Sequence, residues 1–452
     1  MHPSFAASIK PAMKIRLFII SLLLSSLSTW SYAQPNAYSL SDCITRALEN
    51  NLQVRQAGLN TEITQVNREQ AAAVRFPTLD ATVRQNFSWS DQQNADGSYV
   101  FTGSNGNSVS LNSGLVLFNG FRNENAIKQA ELEYNSAWLD VETMRENISL
   151  LVLESYLQVL YAGELVTNSR NQLLSTGSQL GLAKERLDLR VISQADYLQV
   201  KAQEASEKLT LANAEKQLQL SRLNLMQLLE LPVNDTFAIV IPDYASAGRQ
   251  LLTTDAAGVY NTALGFKPEV RSAALQKQIA AYDIEIAKGG YLPSLSLTAG
   301  LGTSYNSLAE KLKFASQLDH NLSPTLGLTL SIPIFQKKQV KSQVSLARIN
   351  AASADLAEQT TLNQLRKSIE TAWVDVLSAE KELDAGTGQF EATQASFTVA
   401  TERFNLGVIN SVDYLYEKTN LINAESQLLQ ARYNLIFSYK VLDFYQGKPL
   451  DL

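Results

Sequence analysis

"ERLDLRVISQADYLQVK" occupies residues 185–201, and "ERFNLGVINSVDYLYEK" occupies residues 402–418. The second copy follows the first by 402 − 185 = 217 positions, and nine of its seventeen residues are unchanged. A chain of 452 residues would ordinarily be divided into two or three domains. A displacement close to half that length points instead to one architecture built from two similar halves.

The duplication extends on both sides of the quoted stretch. "ALENNLQVR" (47–55) parallels "ALGFKPEVR" (263–271), and "RFPTLDA" (75–81) parallels "YLPSLSL" (291–297). Phe118, in "GLVLFNG", precedes a long helix-like segment as Phe335 does in "SIPIFQK". Each half therefore reads helix, strand pair, very long helix, tight turn, helix. In residue terms, 34–231 form the first repeat, 232–257 a linker or equatorial segment, and 258–452 the second repeat.

Alternation of apolar and polar residues predicts strands over about 80–91, 108–118, 294–306 and 322–335. In the third, Leu295, Leu297, Ala299 and Leu301 alternate with Ser296, Thr298 and Gly300. Each run is about the 9–11 residues that a tilted strand needs to cross a bilayer. One face is almost wholly aliphatic. Trp89, Tyr305, Phe118 and Phe335 lie near strand ends, where aromatic girdles belong. The connections over 91–107 and 307–321 are rich in Asn, Gly and Ser and read as loops. Four strands cannot close a barrel, and an open edge in lipid leaves backbone groups unsatisfied at several kcal/mol each. Several chains must then share one barrel.

Between residues 120 and 189 there is no proline, and a helix of roughly 70 residues would be about 105 Å long. The matching run is 337–406. Shorter helices are predicted over 40–74, 193–231, 258–288 and 410–445. Along the last, Leu421, Leu428, Leu435 and Leu442 recur every seven residues, the spacing of left-handed supercoiled packing.

Lys14 and Arg16 precede the apolar run "LFIISLLLSSL", and Ser31-Tyr32-Ala33 offers a small-residue cleavage site. Residues 1–33 therefore read as a signal peptide, with translation starting at either Met1 or Met13. Without them the chain keeps 35 cations against 44 acids, a net −9, which argues against a nucleic-acid partner. Cys43 is the single cysteine, so no internal disulfide can form. It reads as a small residue near a helix start. Only His320 remains as a histidine after cleavage, so neither a zinc site nor a histidine-based triad is expected, and no enzyme chemistry.

Ser193-Gln194-Ala195-Asp196 and Asn410-Ser411-Val412-Asp413 each match an N-cap followed three residues later by an acid. Gly407 suits a left-handed residue closing the preceding helix. On this evidence alone, the duplicated motif is a helix–turn–helix hairpin with a capping box.

Helix, strand pair, long helix, turn and helix, duplicated behind a signal peptide, resembles the TolC family of outer-membrane efflux ducts. The motifs carrying it are "RALENN" (46–51), "FPTLDATV" (76–83), "IPIFQ" (332–336) and "ERFNLGVINSVDYL" (402–415). The resemblance covers essentially the whole mature chain. It implies a homotrimer in which twelve strands form one outer-membrane β-barrel, continued by an α-helical coiled-coil tunnel through the periplasm. It implies docking on a periplasmic adaptor and an inner-membrane transporter of the RND, ABC or MFS type. The function it implies is the exit duct of a tripartite efflux or type I secretion system. A duct specific for polypeptides or metal ions, and a pore-free coiled-coil surface protein, are the competing readings. No cofactor or bound metal is expected.

The family also suggests what the turns do. Asp196 and Asp413 match acidic positions that narrow the periplasmic end of the pore. Gly407, Val408, Ile409 and Asn410 match an adaptor-facing loop, as do Arg190, Val191, Ile192 and Ser193 in the first copy. Arg190 stands where the motif favours glycine, and Tyr416 where some members carry a second Asp. Phe404 and Ile409 occupy the positions of a Tyr and an Arg that latch some relatives, so that latch is not carried over.

Overall fold

The computed structural model describes residues 37–93, 96–232, 237–242, 255–309 and 313–452. The expected signal peptide (1–33), and most of the expected 232–257 linker, lie outside the described residues.

The two halves repeat the same helix lengths. α1 (Leu40–Asn50), α2 (Leu52–Ala73), α3 (Arg122–Asp188) and α4 (Gln194–Leu228) have 11, 22, 67 and 35 residues. α5 (Ala256–Phe266) and α6 (Pro268–Gly289) again have 11 and 22. After α7 (Phe314–His320), α8 (Gln339–Asn405) and α9 (Ser411–Tyr445) again have 67 and 35. At 1.5 Å per residue, α3 and α8 are rods of about 100 Å.

Two helices expected to be continuous are broken, each for a local reason. Asn51 closes α1 with its amide and opens α2 by accepting the Gln53 amide at 2.9 Å. Lys267 likewise closes α5 with its amide but caps α6 with no side-chain bond; there Pro268 takes the first helical position and has no amide to lose.

β2 (Thr78–Gln93), β3 (Tyr99–Phe118), β5 (Ser294–Asn306) and β6 (Ser323–Ser331) form one antiparallel sheet in the order β2-β3-β5-β6. A separate parallel pair joins β1 (Ala37–Tyr38) to β4 (Ala238–Ile239). The β2–β3 hairpin overruns its expected limits and takes in most of the region read as a loop. Its ladder continues through polar residues: Ser88 and Ser104 hydroxyls lie 2.6 Å apart, and Trp89 covers Gly103. The expected strand over 322–335 instead ends at Ser331. Pro333, two residues further on, has no amide to offer the ladder. Within the second loop, 307–321, the chain forms α7. His320 there is exposed and bonds within its own helix, to Ser316 O at 2.8 Å.

Register puts the apolar residues of all four strands on one face. Ala81 pairs with Leu111, Leu111 with Leu301 and Leu301 with Pro324; the next polar row links Asp80, Asn112, Gly300 and Thr325. The apolar face is left bare: Leu79, Val83, Phe87, Leu326, Leu328 and Leu330 are all exposed. A contiguous apolar surface of this kind marks a membrane or partner interface. Among the described residues, the outer strands β2 and β6 each have one unpaired edge.

Two hydrophobic cores lie at the waist of the rods, related by the same displacement as the sequence. One contains Cys43, Ala47, Ile148, Val152, Val159 and Leu225; the other contains Val259, Ala263, Leu365, Ile369, Val376 and Leu442. These pair off one to one at offsets of 216 or 217. Cys43 thus fills the place that Val259 fills in the other half, and burial pushes its thiol up to about 12.

Candidate functional site

At the end of the rods away from the sheet, α3 turns into α4 and α8 turns into α9. Both turns are built alike. Leu189 and Leu406 end the helices. Arg190 and Gly407 then take left-handed backbone at φ 60° and 71°. Val191 N–H donates to Arg186 O at 2.8 Å, and Val408 N–H to Arg403 O at 2.9 Å. That is the closure in which the second residue past the cap reaches back five positions. It leaves Leu189, Val191, Leu406 and Val408 exposed at the two tips.

The helix starts that follow differ between copies. Ser193 caps α4 by accepting the Asp196 amide at 3.2 Å, and Asp196 Oδ2 accepts in return from the Ser193 amide at 3.2 Å and its hydroxyl at 2.7 Å. Asp196 Oδ1 takes the Ser411 hydroxyl at 2.7 Å, across to the other hairpin. These bonds, that of Ser193 first and that of Ser411 second, hold the Asp196 carboxyl below its ordinary value. Asn410 also caps its helix, accepting the Asp413 amide at 2.9 Å, but Asp413 returns no bond to it. The Asp413 carboxylate is exposed, beside an open concavity lined by Arg403, Ile409, Tyr416 and Glu417. One aspartate is tied down and the other is left free.

The second copy of the motif is buried where the first is not. Tyr197 is half-buried, whereas its counterpart Tyr414 is almost wholly enclosed. Tyr414 stacks on Phe404 at 4.7 Å between ring centres, lies 5.4 Å from the ring of Phe397, and bonds Gln179 of α3. Lys201 is exposed, whereas Lys418 is buried and pairs with Glu207 Oε1 at 3.0 Å. Thr176 of α3 completes this group, bonding both Glu207 and Lys418. Sequence reading missed the cluster. Its signals were that Lys418 belongs to the repeated motif and that Thr176 has a counterpart in Thr393, 217 positions on; Glu207 has none, falling opposite Ala424.

The candidate residues thus fall at the two neighbouring tips. The structure joins Asp196 to Ser411 and, among the described residues, gives no bond between Asp196 and Asp413. No group of His, Cys, Asp and Glu able to hold a metal occurs among the described residues.

A duplicated, rod-bearing chain with a bilayer-length sheet at one end and paired turns at the other is matched by one sequence family. The profile of the outer membrane efflux proteins matches residues 43–230 and 259–447, one match for each half. The chain belongs to that family. Among relatives of this efflux protein, the outer membrane protein TolC of Escherichia coli K12 is 23% identical, covering 94% of this chain and 84% of its own. The alkaline protease secretion protein AprF of Pseudomonas aeruginosa is 24% identical, covering 91% and 85%. The solved structure of the Campylobacter jejuni CmeC outer membrane channel is similar in fold, with a TM-score of 0.80 at 17% identity over 100% of this chain and 94% of that one. The open state of the Neisseria gonorrhoeae MtrE channel gives 0.73 at 19% identity, covering 91% and 90%. The reading as a pore-free coiled-coil surface protein is thereby set aside.

Proposed function

We propose that three copies of this efflux protein close one twelve-stranded barrel in the outer membrane and continue it as a helical tunnel through the periplasm. The duct so formed is the passive exit of a tripartite efflux or type I secretion assembly. The observation that carries this is the sheet: four strands, an exposed aliphatic face, and an unpaired edge on both β2 and β6. In lipid such edges must be paired, and copies of the same chain supply the partner. Rods of about 100 Å suit a span away from the membrane. The protein reaches that place after cleavage near Ala33.

At the far end, the exposed Leu189, Val191, Leu406 and Val408 suit docking on the periplasmic adaptor, beside Arg190, Ile192, Ser193, Gly407, Ile409 and Asn410. The inner-membrane transporter of RND, ABC or MFS type then sets the substrate. Asp413, free and exposed, is the pore acid; Asp196 is a clasp between hairpins that lies next to it. A duct of this kind needs no catalytic group and no cofactor.

The test is a heat-sensitive trimer band in outer-membrane extracts, together with single-channel conductance of the purified trimer in planar bilayers. A monomer at all temperatures with no conductance would refute the duct.

A further inference from the structure

Where the sheet passes into the helices, cations collect at one level. The start of β2, the end of β3, the start of β5 and the end of β6 lie together, since Thr78 pairs with Gly114, Phe118 with Leu295 and Ser294 with Ser331. The chain on the helical side of that level is packed tightly enough to fix these positions. A Cβ at Gly120 would collide with the Gly289 carbonyl, and one at Gly290 would meet Val340 at 2.9 Å. Gln336 Nε2 donates to Gly290 O at 3.0 Å.

Segments 74–77, 119–125, 288–293 and 332–341 cross this level, and they hold Arg75, Arg122, Lys288, Lys337, Lys338 and Lys341 against the single acid Glu124. Lys288 pairs with Glu285 of its own helix at 2.6 Å. The other five cations are exposed and, among the described residues, have no carboxylate within ion-pair distance. The opposite end of the sheet has the reverse balance, with Asp91, Asp96 and Asp319 against Lys313 among the described residues.

Folding alone does not favour this arrangement. Lys338 and Lys341 sit at the start of α8, where the helix dipole repels cations and no acid stands in the first turn. Lys337 and Lys338 both adopt left-handed backbone, at φ 47° and 65°. The matching turn of the first half puts Gly120 at the first of these positions. Immediately beside the cations is an apolar collar: Phe76, Phe121, Tyr291, Ile334 and Phe335 are exposed, Ile334 by 95%.

We propose that this collar and its cations form a binding ring for anionic phospholipid headgroups in the leaflet from which the helices emerge. The aromatic and aliphatic side chains enter the edge of the acyl region, and the Lys and Arg heads reach the phosphates just outside it. Phosphatidylglycerol and cardiolipin are the lipids whose net charge fits. Continuity with the bare aliphatic face of the sheet identifies the occupant as lipid. The proposal rests on the barrel reading above.

The test uses the purified assembled protein with vesicles and with lipid mixed into detergent. Insertion is first measured by flotation with phosphatidylcholine vesicles, which report on the barrel alone. Retention of phosphatidylglycerol against phosphatidylethanolamine is then measured by native mass spectrometry. We expect a several-fold preference for phosphatidylglycerol that fades as ionic strength rises, disappears in K337Q/K338Q/K341Q and survives in K313Q. If the triple variant does not assemble, R75Q/R122Q and the salt dependence of the wild type decide. Failure to insert into phosphatidylcholine would refute the barrel. Insertion with no anionic preference, with a salt-independent one, or with lipopolysaccharide held in its place would overturn the ring and leave the barrel standing.

Discussion

Lys418 Nζ lies 3.0 Å from Glu207 Oε1, with their side chains only 5% and 6% exposed. A cation of α9 and a carboxylate of α4 therefore neutralise each other inside the packed hairpins, with the Thr176 hydroxyl of α3 bonding both. Removing one member of such a pair strands the other, at about 3–5 kcal/mol. We expect Lys418→Met to lower the melting temperature sharply. Lys418→Met combined with Glu207→Leu should recover most of the loss, because both charges then disappear. A double-mutant cycle by thermal denaturation checks this; additive losses would mean the pair is not coupled.

The two repeated aspartates should respond in opposite ways. Asp413→Ala removes an exposed carboxylate and no bond of the cap, so assembly should be unchanged while single-channel conductance rises and cation block weakens. Asp196→Ala removes both the capping bonds and the Ser411 bridge, so it should loosen the tips. Conductance and protease sensitivity of the turns, measured on both variants, separate the two roles.

Acid should act through Asp196. A carboxyl held below its ordinary value of 3.8 adds stability above that value, and the contribution is lost as pH falls through the lowered one. Digestion of the tips by an acid-stable protease should therefore accelerate only well into the acidic range. In Ser411→Ala, which removes one of the bonds lowering the pKa, the onset should move up toward 3.8. An unchanged onset would dissociate the bridge from the acid response.

Cys43 should resist maleimide in the folded protein, since it is fully enclosed and its thiol is pushed up to about 12. Cys43→Val should cost less than about 1.5 kcal/mol, because Val259 fills the equivalent place in the other half. Cys43→Asp should prevent folding. Labelling rate and melting temperature report on all three.

Arg190 holds a left-handed backbone that its Cβ disfavours by roughly 1–2 kcal/mol. Arg190→Gly should relieve most of this, and Gly407→Ala should impose it on the second turn, where there is room for the methyl group. The melting temperature should rise in the first variant and fall in the second.

Much of this fold can be read from the chain because it was written twice. The offset of 217 between the quoted copies also relates Ile148 to Leu365 and Val152 to Ile369, and the two cores follow it. Alternation of Leu295, Leu297, Ala299 and Leu301 placed the third strand over about 294–306, and β5 runs Ser294–Asn306. It failed on β3, because from Tyr99 to Asn107 the hairpin extends through Thr, Gly, Ser and Asn that need no apolar face. It also failed at Lys267 and Asn51, where one residue ends a helix and opens the next.

The candidate site was only half legible. Capping spacing gave Ser193 with Asp196 and Asn410 with Asp413 correctly as helix starts. It could not say that the copies had parted company, because that depends on which hairpin face is covered. Ser411, Gln179 and Thr176 carry no local signal of their role, and they acquire partners on other helices only when α3, α4 and α9 pack together.

The seam between β3 and β5 has a consequence for how the protein is made. Leu111 meets Leu301 across a chain distance of 301 − 111 = 190 residues. The β2–β3 hairpin can form as soon as it is synthesised, but its inner edge has no neighbour until the second half emerges. Pairing so distant in sequence is slow, and an uncovered strand edge recruits whatever strand arrives first. A nascent chain must therefore be kept apart from its siblings through that interval. Holdase chaperones should accordingly bind the isolated first half far more tightly than the complete chain.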